Sequence, residues 1–177
     1  RQVIKQRHFA LVAATKTFIY PVGIYSKKIN ELSQLPHKAV VLIPNDPTNE
    51  TRALLLLQQA GLIRIKLDSD GQATVRSIIL NPKSLNIKEM DAAELPRALE
   101  DASLAVINTN YAIPFGLIPN KDALLLEDKR SPYANLLVVR ETDAESPKTK
   151  ILVEALHSEA VKAKAEQLFS QQAIPAL

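Results

Sequence analysis

The chain has 177 residues, 46% of them hydrophobic, which is enough for a real core in one large domain or two small ones. A formal net charge of +3, with acids and bases interspersed and no Lys/Arg stripe carrying interleaved aromatics, argues against a nucleic-acid partner. The absence of cysteine excludes disulfides, thiolate metal sites and thiol catalysis, and no apolar run approaches the roughly 20 residues that a membrane-spanning helix needs.

Residues Arg1 to Arg7 carry no initiator Met and read as the second half of an amphipathic helix, the start expected of a processed or truncated chain. Phe9 to Ala14 is expected as a buried strand. Thr17 to Ser26 is a second extended stretch, interrupted at Pro21, which places it at a sheet edge or at a crossing between sheets. A short turn at Ser33 to Leu35 leads to a strand over 39–43, the loop Pro44 to Asn49 and a helix over 49–60, which Gly61 ends as a C-cap. After Leu62 to Leu67 and a turn at Asp68 to Gly71, Thr74 to Leu80 is expected to be helical and to stop at Asn81-Pro82. Asn86 to Met90 reads as a short strand, and Ala92 to Glu100 as a helix in which Pro96 fits only at the first turn. A strand over Ser103 to Ile107 runs into Asn108 to Tyr111, and Ala123 to Leu126 is another. Tyr133 to Arg140 is extended, and amphipathic helices follow at 147–157 and 159–169. Strands alternating with helices predict an α/β fold with a mainly parallel sheet, in which ligands sit beyond the carboxyl ends of strands. Pro44 to Asn49 and Asn108 to Tyr111 both lie at such ends.

Arg52 stands out between that first loop and the apolar run Ala53 to Leu57. With the helix starting near residue 49, it is a cation in a first turn, where unpaired amides already carry positive potential. An anion brought there as ligand resolves the conflict, because amides and guanidinium can converge on one carboxylate or phosphate. Taken alone, the plainer reading is preferred: Arg52 reaches into solvent or pairs with Glu50 or Asp46. Asn108 can be an ordinary helix cap or a ligand contact, and the two roles are compatible.

Several blocks in order carry a resemblance. They are Lys16 to Pro21, Gly23 to Lys28, Pro44 to Asn49, Arg52 to Leu57, Leu95-Pro96-Arg97, Val106 to Ala112 and Glu127 to Asn135. Together they resemble the NlpA lipoprotein family, the methionine-binding components of bacterial ABC importers, over nearly the whole chain. The resemblance implies a bilobed, periplasmic-binding-protein-like α/β fold of type II whose lobes close on a free amino acid. It implies residues 1–26 as part of lobe one, 27–133 as lobe two and 134–177 as the return to lobe one, with crossings near Gly23 to Lys28 and Tyr133 to Asn135. Arg52 would hold the methionine carboxylate, and Asn108 and Asn135 would hydrogen-bond the amino-acid head group, with Asn49 and Tyr133 also counted as ligand-binding. Phe18 and Tyr20 match an aromatic patch near the thioether, where sulfur–aromatic contact favours methionine. Without that match a core role for Phe18 is the preferred reading, and Tyr20 and Tyr133 serve equally as hinge-packing residues.

The family's chains carry further residues before the point matching Arg1, including opening strands of lobe one and a His/aromatic stretch that lines the pocket, so the resemblance implies an incomplete lobe one. It also implies an importer permease and its ATPase as partners, no cofactor, and a periplasmic or cell-surface location through a lipid anchor not present in this chain. Two alternatives stay open: an enzyme on a similar bilobed scaffold, or a ligand-sensing effector domain. An enzyme finds little support. His8, His37 and His157 read as solvated surface residues, Asp46 as an Asx turn before Pro47, and no His/Asp/Glu cluster has metal-ligand spacing.

Overall fold

The computed structural model describes residues 4, 7–128, 131–169 and 172–176. The opening helix expected over Arg1 to Arg7 falls largely outside them. In chain order the elements are β1 (Leu11–Lys16), β2 (Phe18–Ile19), β3 (Val22–Tyr25), β4 (Val40–Pro44), α1 (Pro47–Gln59), β5 (Arg64–Ile65), β6 (Ile78–Leu80), β7 (Asn86–Met90) and α2 (Leu95–Ala98). They continue with β8 (Leu104–Asn108), α3 (Thr109–Ala112), α4 (Pro119–Asp122), β9 (Leu125–Leu126), β10 (Leu136–Arg140), α5 (Pro147–His157), α6 (Glu159–Leu168) and β11 (Ile174–Pro175).

Two local expectations change. Phe9 to Ala14 is not a buried strand: β1 starts two residues later, is only half-buried, and leaves Phe9 exposed. Thr74 to Leu80 is not a helix but a 3₁₀ turn at Val75–Ser77 followed by β6. The turn is held from outside its own sequence, because the Val75 amide donates to Glu50 Oε1 at 2.9 Å. The β-branched pair Ile78-Ile79 then continues as strand against β5.

The chain divides into two compact units, Pro21–Glu127 and a terminal unit made of Arg1–Tyr20 with Asp128–Leu177. The 21–127 unit holds a five-stranded sheet in the order β7-β4-β8-β3-β9. The sheet is mixed rather than mainly parallel: β4 runs parallel to β7 and β8, whereas β3 runs antiparallel to β8 and β9. Apolar runs identify strands but carry no direction, and β3 is laid down where the chain enters the unit, without a helical crossover before it.

Both faces of the sheet are covered, which explains the near-continuous apolar sequences of β4 and β8. Alternation sorts their side chains. Val22, Ile24, Val41, Ile43, Leu104 and Val106 pack with Ala53, Leu54, Leu56 and Leu57 of α1 on one side. Tyr25, Leu42, Ala105 and Ile107 pack with Leu95, Leu99 and Ala112 on the other. Gly23 and Tyr25, two apart, share a face, and a Cβ at Gly23 would lie 2.8 Å from Cε2 of the buried Tyr25 ring. The glycine therefore makes room for the aromatic. Burial, with a smaller contribution from Asp122, pushes the Tyr25 hydroxyl well above the ordinary tyrosine range. The edge strand β7 exposes Lys88 and Glu89, charges that discourage further pairing.

In the terminal unit β1 pairs antiparallel with β10, with a register shift between Ala13 and Thr15, and β2 pairs antiparallel with β11. Helices α5 and α6 meet at Ser158, which caps both: its hydroxyl donates to Ala155 O at 2.7 Å and accepts from the Val161 amide at 3.3 Å. Phe18, Ala165 and Ala173 form a small core joined by Tyr20, Val161 and Phe169. The compact units part at Tyr20–Pro21 and Glu127–Asp128.

Candidate functional site

Helix α1 opens earlier than its apolar pattern suggests, and this relocates Arg52. Asp46 is the N-cap, its carboxylate accepting from the Asn49 amide at 3.1 Å, and Pro47 takes the first helical position, where a missing N–H costs nothing. Arg52 therefore lies in the second turn, beyond the reach of the unpaired first-turn amides. The electrostatic conflict that singled it out is absent.

Its surroundings are more informative than its place in the helix. Arg52 is 6% exposed, so the solvent reading fails, and the pairing with Glu50 or Asp46 is replaced by one with Glu127. Nε donates to Glu127 Oε1 at 3.2 Å and Nη2 to Oε2 at 2.5 Å, the two-pronged geometry that guanidinium offers carboxylate. Nη1 donates to Asn49 Oδ1 at 3.1 Å. Glu127 lies 75 residues along the chain, at the end of the segment after β9, and its Oε2 also accepts from the Val22 amide at 3.2 Å.

Asn49 links this pair to Asn108. Its Nδ2 donates to both Asp46 carboxylate oxygens, at 3.1 and 2.9 Å, which fixes the amide's orientation and turns Oδ1 toward Arg52. The same Oδ1 accepts from Asn108 Nδ2 at 2.9 Å. Asn108 must then present its own oxygen elsewhere. That oxygen is buried and has no hydrogen-bond partner among the described residues. Asn108 stands at the N-cap position of α3 but makes no side-chain cap bond, so the cap reading does not account for it. A buried amide oxygen left unpaired costs about 1–3 kcal/mol, and groups of that kind persist where a partner is supplied in function.

Glu50, next to Asn49, is 5% exposed. Burial raises its carboxyl above the ordinary value; the Val75 amide opposes that, and the neighbouring Glu89 and Asp46 carboxylates add to it. A raised folded-state value means the stabilising contribution is intact below the unfolded value near 4.5 and is lost as pH rises through the folded one. Glu50→Gln, which keeps an oxygen for Val75, is expected to remove that decline. Urea midpoints measured for both proteins from pH 4 to 8 should converge at the acid end and favour the glutamine variant at neutral pH; parallel curves would refute the assignment.

The remaining sequence candidates lie in the terminal unit. Phe18 is buried in its small core, the role the residues alone suggested. Tyr20 is half-buried, with its ring 6.2 Å from Phe18 and 4.9 Å from Phe169, the latter edge to face. Tyr133 is half-buried, and Asn135 is exposed with its backbone bonded to Phe18 O and to the Thr17 amide. Within the 21–127 unit the structure brings Arg52, Asn49 and Asn108 together; within the terminal unit it brings Phe18 and Tyr20 together. Sequence reasoning missed Glu127 and Phe169. A buried arginine demands a counter-ion, yet nothing in the local sequence says which acid supplies it. His8 and His37 are exposed as expected, whereas His157 is half-buried and bonded through Nε2 to Thr15 Oγ1 at 2.9 Å.

The model of the NlpA lipoprotein family matches residues 1–177. The chain belongs to that family. Among curated relatives, the D-methionine-binding lipoprotein MetQ of Escherichia coli is 46% identical over 175 residues, 98% of this chain and 65% of the relative. Outer membrane lipoprotein 3 of Mannheimia haemolytica is 45% identical over 166 residues, 94% of this chain and 63% of the relative. The chain thus spans somewhat under two thirds of the length of these NlpA relatives. Among solved structures, a Burkholderia cenocepacia nutrient-binding protein bound to methionine superposes with a TM-score of 0.94 at 47% identity, covering 99% of this chain and 74% of that one. A periplasmic substrate-binding protein of an ABC transporter from Coxiella burnetii gives 0.93 at 52% identity, with 99% and 74% covered. The fold is that of these NlpA-type solute-binding proteins.

Proposed function

We propose that this NlpA family member is an extracytoplasmic solute-binding protein that captures methionine and delivers it to an ABC importer. The observation that carries the reading is the buried cluster in which the Arg52 guanidinium and the Asn108 amide meet at Asn49 Oδ1, with the Asn108 oxygen left unpaired among the described residues. An acceptor and a cation fixed together suit an α-amino acid, whose ammonium and carboxylate sit a short distance apart. A relative bound to methionine, at 47% identity, supports the side-chain preference. The roles that the family resemblance gives to Phe18, Tyr20, Tyr133 and Asn135 are part of this proposal, as is the reading of the two compact units as the two lobes. Relatives named as lipoproteins support a site of action at a membrane, reached through a lipid anchor, with the importer permease and its ATPase as partners. The site residues hold a ligand and offer no nucleophile and base for its turnover.

Thermal melting with each amino acid tests it. Methionine in one hand or both is expected to raise the melting temperature, since a ligand at a hundred times its Kd adds about 2.7 kcal/mol. Mass spectrometry should recover the amino acid unchanged. No stabilisation by any amino acid would sink the reading.

A further inference from the structure

We infer that Glu127 is a positioning and specificity-determining residue, which orients Arg52 and makes the site select a zwitterion over a plain carboxylate anion. The inference rests on the methionine-binding reading and extends it to a residue that this reading does not use.

Two observations carry the positioning role. Glu127 is anchored independently of Arg52, by the bond from the Val22 amide to its carboxylate at 3.2 Å and by its own amide donating to Val22 O at 2.9 Å. It takes the Nε–Nη2 edge of the guanidinium, so a ligand carboxylate meets Arg52 on its Nη1 side, the side that carries Asn49 and, through it, Asn108. Glu127 thus turns the fork toward the two asparagines.

The selectivity follows from charge. Arg52 is nearly buried and already neutralised by Glu127, while Asp46, bonded to Asn49 through both oxygens, adds a second carboxylate to the same network. A simple carboxylate entering this site brings an unbalanced negative charge within a few ångströms of Glu127. An amino acid brings its own cation, which is drawn to the same carboxylates and to Asn108 Oδ1. Methionine therefore gains on one end what it loses on the other, and its des-amino analogue only loses.

The test compares the two ligands on wild type and Glu127→Gln by calorimetry. Wild type should bind methionine far more tightly than the des-amino thioether carboxylate. In the glutamine variant this preference should narrow by about tenfold, the scale expected for removing one charge near a ligand in an environment of intermediate dielectric. A purely structural role would weaken both ligands together and leave the ratio unchanged, and that result overturns the inference. If wild type binds no methionine, the functional reading itself fails, a distinct outcome. Should the glutamine variant not fold, Glu127→Asp keeps the charge: its preference must then stay within about twofold of wild type even as both affinities fall, and a lost preference refutes the charge argument.

Discussion

Replacing Arg52 with alanine is expected to cost about 3 kcal/mol of methionine binding, a loss of roughly 150-fold, because a charge-assisted contact in a desolvated site disappears. The same change is expected to destabilise the folded protein by about 3 kcal/mol. Burial decides that second effect. An exposed pair of the same geometry would contribute about 0–1 kcal/mol, but here the side chains of Arg52 and Glu127 are 6% and 14% exposed. Removing the cation takes the Arg52 fork away from the Glu127 carboxylate, to which the Val22 amide still donates. The double variant Arg52→Ala/Glu127→Gln separates the two roles: stability should partly return, because the buried carboxylate that faced Arg52 is no longer charged, and binding should not. Titration calorimetry and urea unfolding on the three proteins read both quantities. Unchanged affinity in a folded Arg52→Ala protein would remove Arg52 from the site.

The elements that sequence made legible are those whose cause is local. The buried strands β4 and β8 are apolar runs between turn residues, and α5 and α6 show a helical period with serine at each N-cap. The end of α1 is legible because glycine takes a left-handed φ, here 72° at Gly61, at no steric cost, and from it Gly61 and Leu62 donate back to Gln58 and Leu57. What stayed illegible has a distant cause. The 74–80 segment is a 3₁₀ turn and a strand rather than a helix, with its Val75 amide held by Glu50, 25 residues earlier, and its strand paired to β5. The apolar pattern puts Arg52 in a first turn that it does not occupy, since Asp46 and Pro47 begin the helix sooner than that pattern does. Its importance survives for a different reason, a partner 75 residues away. The grouping of Arg52 with Asn108 was reachable from strand ends alone, because open α/β sheets place loops after adjacent parallel strands side by side, and β4 and β8 are such neighbours.

Asn108 provides the second large effect, with a signature opposite to that of Arg52. In the folded chain its side chain gains one bond, to Asn49, and leaves one buried oxygen unpaired among the described residues. The bond contributes about 1 kcal/mol and the orphan costs about 1–3, so the residue is close to neutral or unfavourable for folding. Asn108→Leu, of similar volume, removes both terms, and stability is expected to change by no more than about 1 kcal/mol in either direction. Binding is different, because the ammonium then keeps the attraction of the nearby carboxylates but loses the one amide oxygen that has room to accept from it. Affinity for methionine should fall by about 2 kcal/mol, roughly 30-fold. A residue kept for packing or for capping α3 would lose stability and affinity together, and that joint loss in urea unfolding and calorimetry would refute the assignment. Stability held while affinity falls is the pattern of a group whose partner arrives only with the ligand.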